Sequence, residues 1–193
     1  MPKPHPLLDV LETERFSLRP LGKVAAFSIG YNNWNGDAEI MRNLIHSSVR
    51  LKPWRWLKRM VWANGRTKFS HAIVPKGGST PVGMHIVTLQ KHRSAALTVV
   101  VHDRDWWGKK VVAEVRGRVI DHLFANNVVD RICCTVNARN MPSVFNYKKL
   151  GFAHAGTLHR VHCDPVSGEV FDTLIFELMR ADWETHGRLP ADA

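Results

Sequence analysis

Hydrophobic and polar positions alternate along RFSLR (15–19), which is the period-two signature of a strand with one buried face. Residues 21–31 and 37–64 change to helical spacing. Their break near Pro53 suits the first turn of a new helix, where the fixed φ and missing N–H cost nothing. Two strands, 67–75 and 81–90, flank the turn KGGST. A strand over 94–102 follows, then a loop, then a helix over about 108–126. RICCTVN (131–137) reads as a short buried strand, and a helix over about 140–149 is expected to stop at Gly151. Segments 152–163 and 169–180 form a hairpin around DPVSG, and the chain beyond Trp183 reads as a frayed polar tail.

This order predicts an α/β fold, with a mixed, mostly antiparallel twisted sheet of about seven strands flanked by about four to five helices. A strand–loop–helix crossover lies at its centre. The 193 residues suit one domain, with a core over about 10–183 and a tail over 184–193. At 45% hydrophobic and 23% charged residues, the chain has enough apolar material for a core. It has no apolar run of about 18 residues that would span a bilayer. Prolines and acids interrupt the N-terminal segment where a signal peptide would be continuous. Three cysteines, two of them the adjacent pair Cys133–Cys134, do not make a disulfide framework, so a reducing cytoplasm is expected.

Charge adds a question about partners. With 27 Lys and Arg against 17 Asp and Glu, the net charge is +10, which suits a phosphorylated ligand or a nucleic acid. RLKPWRWLKRM (50–60) interleaves Trp54 and Trp56 with cations. Such a stretch can stack on bases, or it can be a helix that buries its tryptophans and solvates its lysines. The loop DRDWWGKKVVAE (103–114) is more specific. A loop that opens a helix aims backbone N–H groups at an anion. Here Gly108 supplies the small residue, and Lys109 and Lys110 supply charge.

Three stretches resemble the GNAT acyltransferase superfamily and, within it, the RimJ/RimL-type N-acetyltransferases. TERFSLRPL (13–21) is similar to the branch's first strand. WWGKKVVAE (106–114) is similar to its W-G-K-G-x-A-T-E loop, with Lys110 where a glycine is usual and Val112 where a small residue is usual. NARNMPSVFNYKKLGF (137–152) is similar to its N-x-x-N-x-x-S segment with a terminal L-G-F. The resemblance implies an acyl-coenzyme A-dependent N-acyltransferase, with acetyl-CoA as co-substrate and no metal, acting by direct attack in a ternary complex.

The resemblance further implies that Trp107, Gly108, Lys109, Lys110, Val111 and Val112 hold the donor's pyrophosphate. Its pantetheine arm would pair with the strand ending at Val100, Val101 and His102, and Asn137, Asn140, Ser143 and Tyr147 would line the reacting end. Tyr147 is the expected proton donor to the departing thiolate, because a phenol's ordinary pKa is close enough to a thiol's. Ser143 and His162 are the further catalytic candidates. The general base stays open among His85, His102, Asp103, His162 and water. The triplet His159, His162 and Cys163 alternates faces on a strand and so is no metal site. The acceptor is a primary amine, of a protein N-terminus or a small molecule, with no membrane partner and a monomer or homodimer as the assembly. An RNA-borne amine such as aminoacyl-tRNA is the same-class alternative. A non-catalytic binding module is the other.

Overall fold

The computed structural model describes residues 5–44, 50–59, 63–164 and 167–186. The chain enters through a 3-10 turn at Pro6–Leu8 and forms β1 (Leu11–Glu12) and β2 (Phe16–Leu21). Three helices follow: α1 (Lys23–Asn33), α2 (Ala38–Asn43) and α3 (Pro53–Arg59). Pro53 opens α3, as its ring geometry demands. Strands β3 (Lys68–Pro75), β4 (Gly83–Gln90) and β5 (Ser94–Val101) lead to α4 (Val111–Ala125). Then come β6 (Arg131–Asn137), α5 (Met141–Lys149), β7 (Ala153–Cys163), β8 (Val170–Met179) and α6 (Arg180–His186).

Among the described residues all eight strands form one sheet in the order β1-β2-β3-β4-β5-β6-β8-β7, and every pairing is antiparallel except that of β5 with β6. The eighth strand, beyond the expected seven, is the two-residue β1, too short to carry a periodic signal. The sixth helix is α6. It carries helix past the expected boundary at Trp183 as far as His186, and residues 187–193 of the expected tail lie outside the described residues. Trp183 is itself buried, and its indole N–H donates to Asp121 of α4 at 2.9 Å. Of the long helical stretch 37–64, residues 45–49 and 60–62 lie outside the described residues.

One sheet face packs against α4 and α5, with Val115, Val119, Ile120 and Leu123 at the centre of the larger core. The other packs against α1–α3, where Trp34, Met41 and Trp56 join Met84, Ile86 and Val100. The two-faced reading of Trp54 and Trp56 therefore divides. Trp56 is fully buried, whereas Trp54 is half exposed beneath the Arg55 guanidinium.

The feature that positions the site is the pairing of β5 with β6. It covers only Ser94 with Arg131 and Ala95 with Ile132, although β5 runs on to Val101 and β6 to Asn137. Past Ala95 the two parallel strands part, and a wedge opens toward their C-terminal ends. Parallel strands with a helix crossing over them expose such a crevice at those ends.

Candidate active site

A cleft of about 730 Å3 occupies this wedge and extends over the start of α4. Its floor is backbone. The Leu97 N–H points to Cys134 Sγ across the wedge at 3.2 Å, and the Leu97 carbonyl accepts from the Tyr147 hydroxyl at 3.4 Å. Alternation along a strand then turns the backbone groups of Val99 and Val101 toward the wedge and those of Thr98 and Val100 toward β4. The His102 N–H is spent on the β4 side as well, donating to Val82 O at 3.0 Å. The sequence reading placed the donor against Val100, Val101 and His102. Val100 and Val101 both line the cleft, but of the three only Val101 turns its backbone to the wedge, as Leu97 and Val99 do, a phase that pairing with β4 decides.

At the cleft's other end, Gly108 and Lys110 both have positive φ, +74° and +58°. Lys110 is the left-handed N-cap of α4 and makes no side-chain capping bond. The first intrahelical bond runs from Glu114 N–H to Lys110 O at 3.2 Å, so the N–H groups of Val111, Val112 and Ala113 face the cleft mouth. That cradle of free donors, with Lys110 beside it, fits a pyrophosphate. Lys110 thus carries a Cβ in the conformation where glycine is cheapest.

Two arginines hold the loop. Arg15 grips Glu114 from its backbone N–H at 2.9 Å and its Nε at 2.7 Å, and its Nη2 donates to Lys109 O at 2.8 Å. Burial pushes the Glu114 carboxyl up, but bonds from Thr13 and Arg15 outweigh it and hold the group below the ordinary carboxylate range. On the opposite side Arg104 stacks over Trp107 at 4.6 Å and binds Asp37 and Glu39 at 3.0 and 2.7 Å, tying the loop to α2. Trp107 donates its indole N–H to Val101 O at 2.9 Å, which leaves that carbonyl spent.

Tyr147 stands at the root of the wedge. Its ring stacks on Phe176 at 5.2 Å, and the Arg116 guanidinium lies 4.2 Å from its centre. Burial drives its pKa up, against the opposing charge of Arg116, so the phenol stays protonated. Asn140 caps α5 by accepting from Ser143 N–H at 3.1 Å, and both residues line the cleft with Tyr147. Gly151, at φ +79°, ends the same helix in the left-handed turn that its L-G-F motif calls for.

The remaining sequence candidates lie elsewhere. Lys109 does not line the cleft. Asn137 is buried and holds the turn into α5 by accepting from Arg139 N–H at 3.0 Å. His85 is fully buried on the α4 face with no hydrogen-bond partner, and burial keeps it neutral. Burial also lowers the pKa of His102, which packs against Trp34. Asp103 caps a 3-10 turn, and His162 stacks on Phe171 away from the cleft. His159 pairs with Asp172, and no cluster of three metal-ligating side chains exists among the described residues. Among the cleft residues that escaped the sequence reading, two carry charge that bears on the chemistry. Glu39 is the carboxylate at the mouth, and Arg116 is a cation at a position where the helical pattern calls for a core residue.

A mixed sheet parted at one parallel pair, with a helix N-terminus facing the gap, is an α/β architecture whose cleft runs from free backbone N–H groups to the wedge root. Residues 15–153 match the model of the acetyltransferase (GNAT) domain, so the chain belongs to the GNAT acetyltransferase family. No curated protein matches the chain. Among solved structures it is similar to spermidine N-acetyltransferase from Vibrio cholerae, in complex with CoA and spermine, at 17% identity and TM-score 0.73, covering 86% of this chain and 96% of that one. It is also similar to ribosomal-protein-S5-alanine acetyltransferase from Vibrio fischeri at 17% identity and TM-score 0.70, covering 91% and 98%. A GCN5-related N-acetyltransferase from Brucella melitensis gives 15% identity and TM-score 0.71, covering 95% and 83%. At these identities the likeness is one of fold. No helix among the described residues is long and apolar enough to cross a membrane.

Proposed function

We propose that this protein is a cytoplasmic, RimJ/RimL-like N-acyltransferase that moves an acyl group from coenzyme A to a primary amine by direct attack. The observation that carries the reading is the joining of two ends in one cleft: the open N-terminus of α4, suited to a pyrophosphate, and the Tyr147 hydroxyl at the wedge root. The RimJ/RimL-like motifs at 13–21, 106–114 and 137–152 support the branch, and three cysteines that make no disulfide framework support the location.

In this mechanism the α4 N–H groups and Lys110 hold the phosphates, and the unpaired edge of β5 orients the pantetheine arm as a strand would. The Val99 N–H faces the thioester carbonyl and stabilises charge that develops on its oxygen. Burial keeps the Tyr147 phenol neutral at rest, and the Arg116 cation offsets the charge that develops on its oxygen as it gives its proton to the thiolate when the carbon–sulfur bond breaks. A water takes the amine's proton, since no histidine lines the cleft among the described residues. Ser143 orients the reacting end from the first turn of α5.

Thiol release from acetyl-CoA, measured against spermidine and against peptides with free N-termini, tests the reading alongside calorimetry with coenzyme A. Coenzyme A binding with thiol release on one amine class supports it. Absence of coenzyme A binding overturns it.

A further inference from the structure

Arg116 is the one strongly basic side chain buried in the wedge among the described residues. It is 3% exposed and lines the cleft, yet its Nε and Nη1 have no hydrogen-bond partner, and no described carboxylate pairs with it. Its guanidinium lies over the face of Tyr147, 4.2 Å from the ring centre. A ring face offsets part of a cation's lost hydration but accepts no N–H bonds, so the planar fork of donors remains unmet. A guanidinium is also the side chain whose geometry matches a carboxylate or a phosphate with two parallel bonds.

The missing anion is not the pyrophosphate. Arg116 lies six residues beyond Lys110, roughly 9 Å further along α4 at the rise of a helix. It is instead one turn below Val112 on the same helix face, beside Tyr147 and Cys134, where the resemblance puts the reacting end of the donor. The phenol oxygen sits on the rim of the ring that Arg116 covers, so cation and hydroxyl are roughly 5 Å apart, the span of two methylenes and a carboxyl group at ordinary bond lengths.

We propose that the donor is an acyl-coenzyme A whose acyl chain ends in a carboxylate, a short dicarboxylic thioester of the succinyl class, and that Arg116 is the residue that selects it. This rests on the acyltransferase reading above and names its donor. The amine nitrogen bonds to the thioester carbon, and the carbon–sulfur bond breaks with its electron pair on sulfur. Tyr147 protonates the sulfur and is reprotonated from water, and the amine's surplus proton goes to water. The far carboxylate is carried unchanged into the amide product, paired to Arg116 throughout. An acetyl group, by contrast, leaves the buried guanidinium with nothing to bind.

The test is donor binding by calorimetry, which needs no knowledge of the acceptor. Coenzyme A, acetyl-CoA and succinyl-CoA are titrated into the native protein and into Arg116→Met, with glutaryl-CoA as a length control. Succinyl-CoA should bind the native protein at least tenfold more tightly than acetyl-CoA, and Arg116→Met should abolish that preference. Arg116→Lys, which keeps the charge and loses the fork, should restore only part of it. Equal affinity for the two thioesters in a protein that binds coenzyme A overturns the inference and leaves the acyltransferase reading standing. So does a succinyl preference that survives Arg116→Met. If neither coenzyme A nor any thioester binds, both readings fall. Should Arg116→Met not fold, the native comparison of acetyl with succinyl still decides.

Discussion

Arg15 and Glu114, 99 residues apart in the chain, meet through a backbone N–H and a guanidinium on one carboxylate, with contacts of 2.9 and 2.7 Å. The same arginine reaches the Lys109 carbonyl, so the start of β2 is stapled to both sides of the α4 N-terminus. Arg15→Ala should lower stability by about 1 kcal/mol, the scale of a half-exposed pair. That corresponds to a fall in Tm of about 2–4 °C for a chain of this size. Because the staple orients the loop, coenzyme A affinity should fall several-fold, as calorimetry would show. The Glu114 pKa is lowered on folding, so the pair's contribution is present above the ordinary carboxylate pKa and is lost as pH falls through the lowered one. An Arg15→Ala protein with unaltered affinity would show that the staple serves stability alone.

Tyr147→Phe should retain the fold, because the ring keeps its stacking on Phe176 and loses only a 3.4 Å bond to Leu97 O. Turnover should fall by about 100-fold or more, the scale for losing a general acid. Rates at saturating donor and acceptor check this, and an undiminished rate would assign the proton to water. His162→Ala should leave the rate within about twofold, since His162 lies outside the cleft.

His71 is buried beside His85 on the α4 face, and burial brings its pKa down to about 4. The Leu7 backbone opposes this without completing a hydrogen bond, and His122 reinforces it. The unfolded chain binds a proton near pH 6.5 that the folded chain refuses until about pH 4. Stability is therefore fully present above pH 6.5 and falls as the pH drops through that window, by up to about 1.4 kcal/mol per pH unit. Denaturant unfolding of the native protein and of His71→Leu from pH 7 to 4 should give a shallower acid limb for the variant. Parallel limbs would place the acid sensitivity elsewhere.

Lys110→Gly relieves a left-handed Cβ worth about 1–2 kcal/mol and removes a cation at the cleft mouth. The two effects oppose one another in donor binding, so coenzyme A affinity should change by less than about tenfold while Tm rises. Lys110→Glu keeps the Cβ and reverses the charge, and affinity should drop by at least about tenfold. Three equal affinities would show that the loop does not meet the phosphates.

The sequence alone determined most element positions, because periodicity is local. RICCTVN appears as β6 over the residues expected, Pro53 starts α3, and the family motifs locate the loop and the α5 tyrosine. It also carried the Lys110 departure, a lysine where glycine is usual, at a position that takes a left-handed φ. The tertiary structure decided what depends on partners distant in the chain. Pairing with β4 set which β5 backbone groups face the wedge, and the early end of the β5–β6 ladder made the wedge itself. Arg116 sits in a helix whose neighbours on that face are apolar, and its letter carries no sign that the guanidinium turns inward beneath Tyr147. The histidines went the same way. Their chemistry suggested a base, but burial in the packed faces of the sheet or stacking outside the cleft removed them, because side-chain surroundings are set by packing between segments and not by the segment's own pattern.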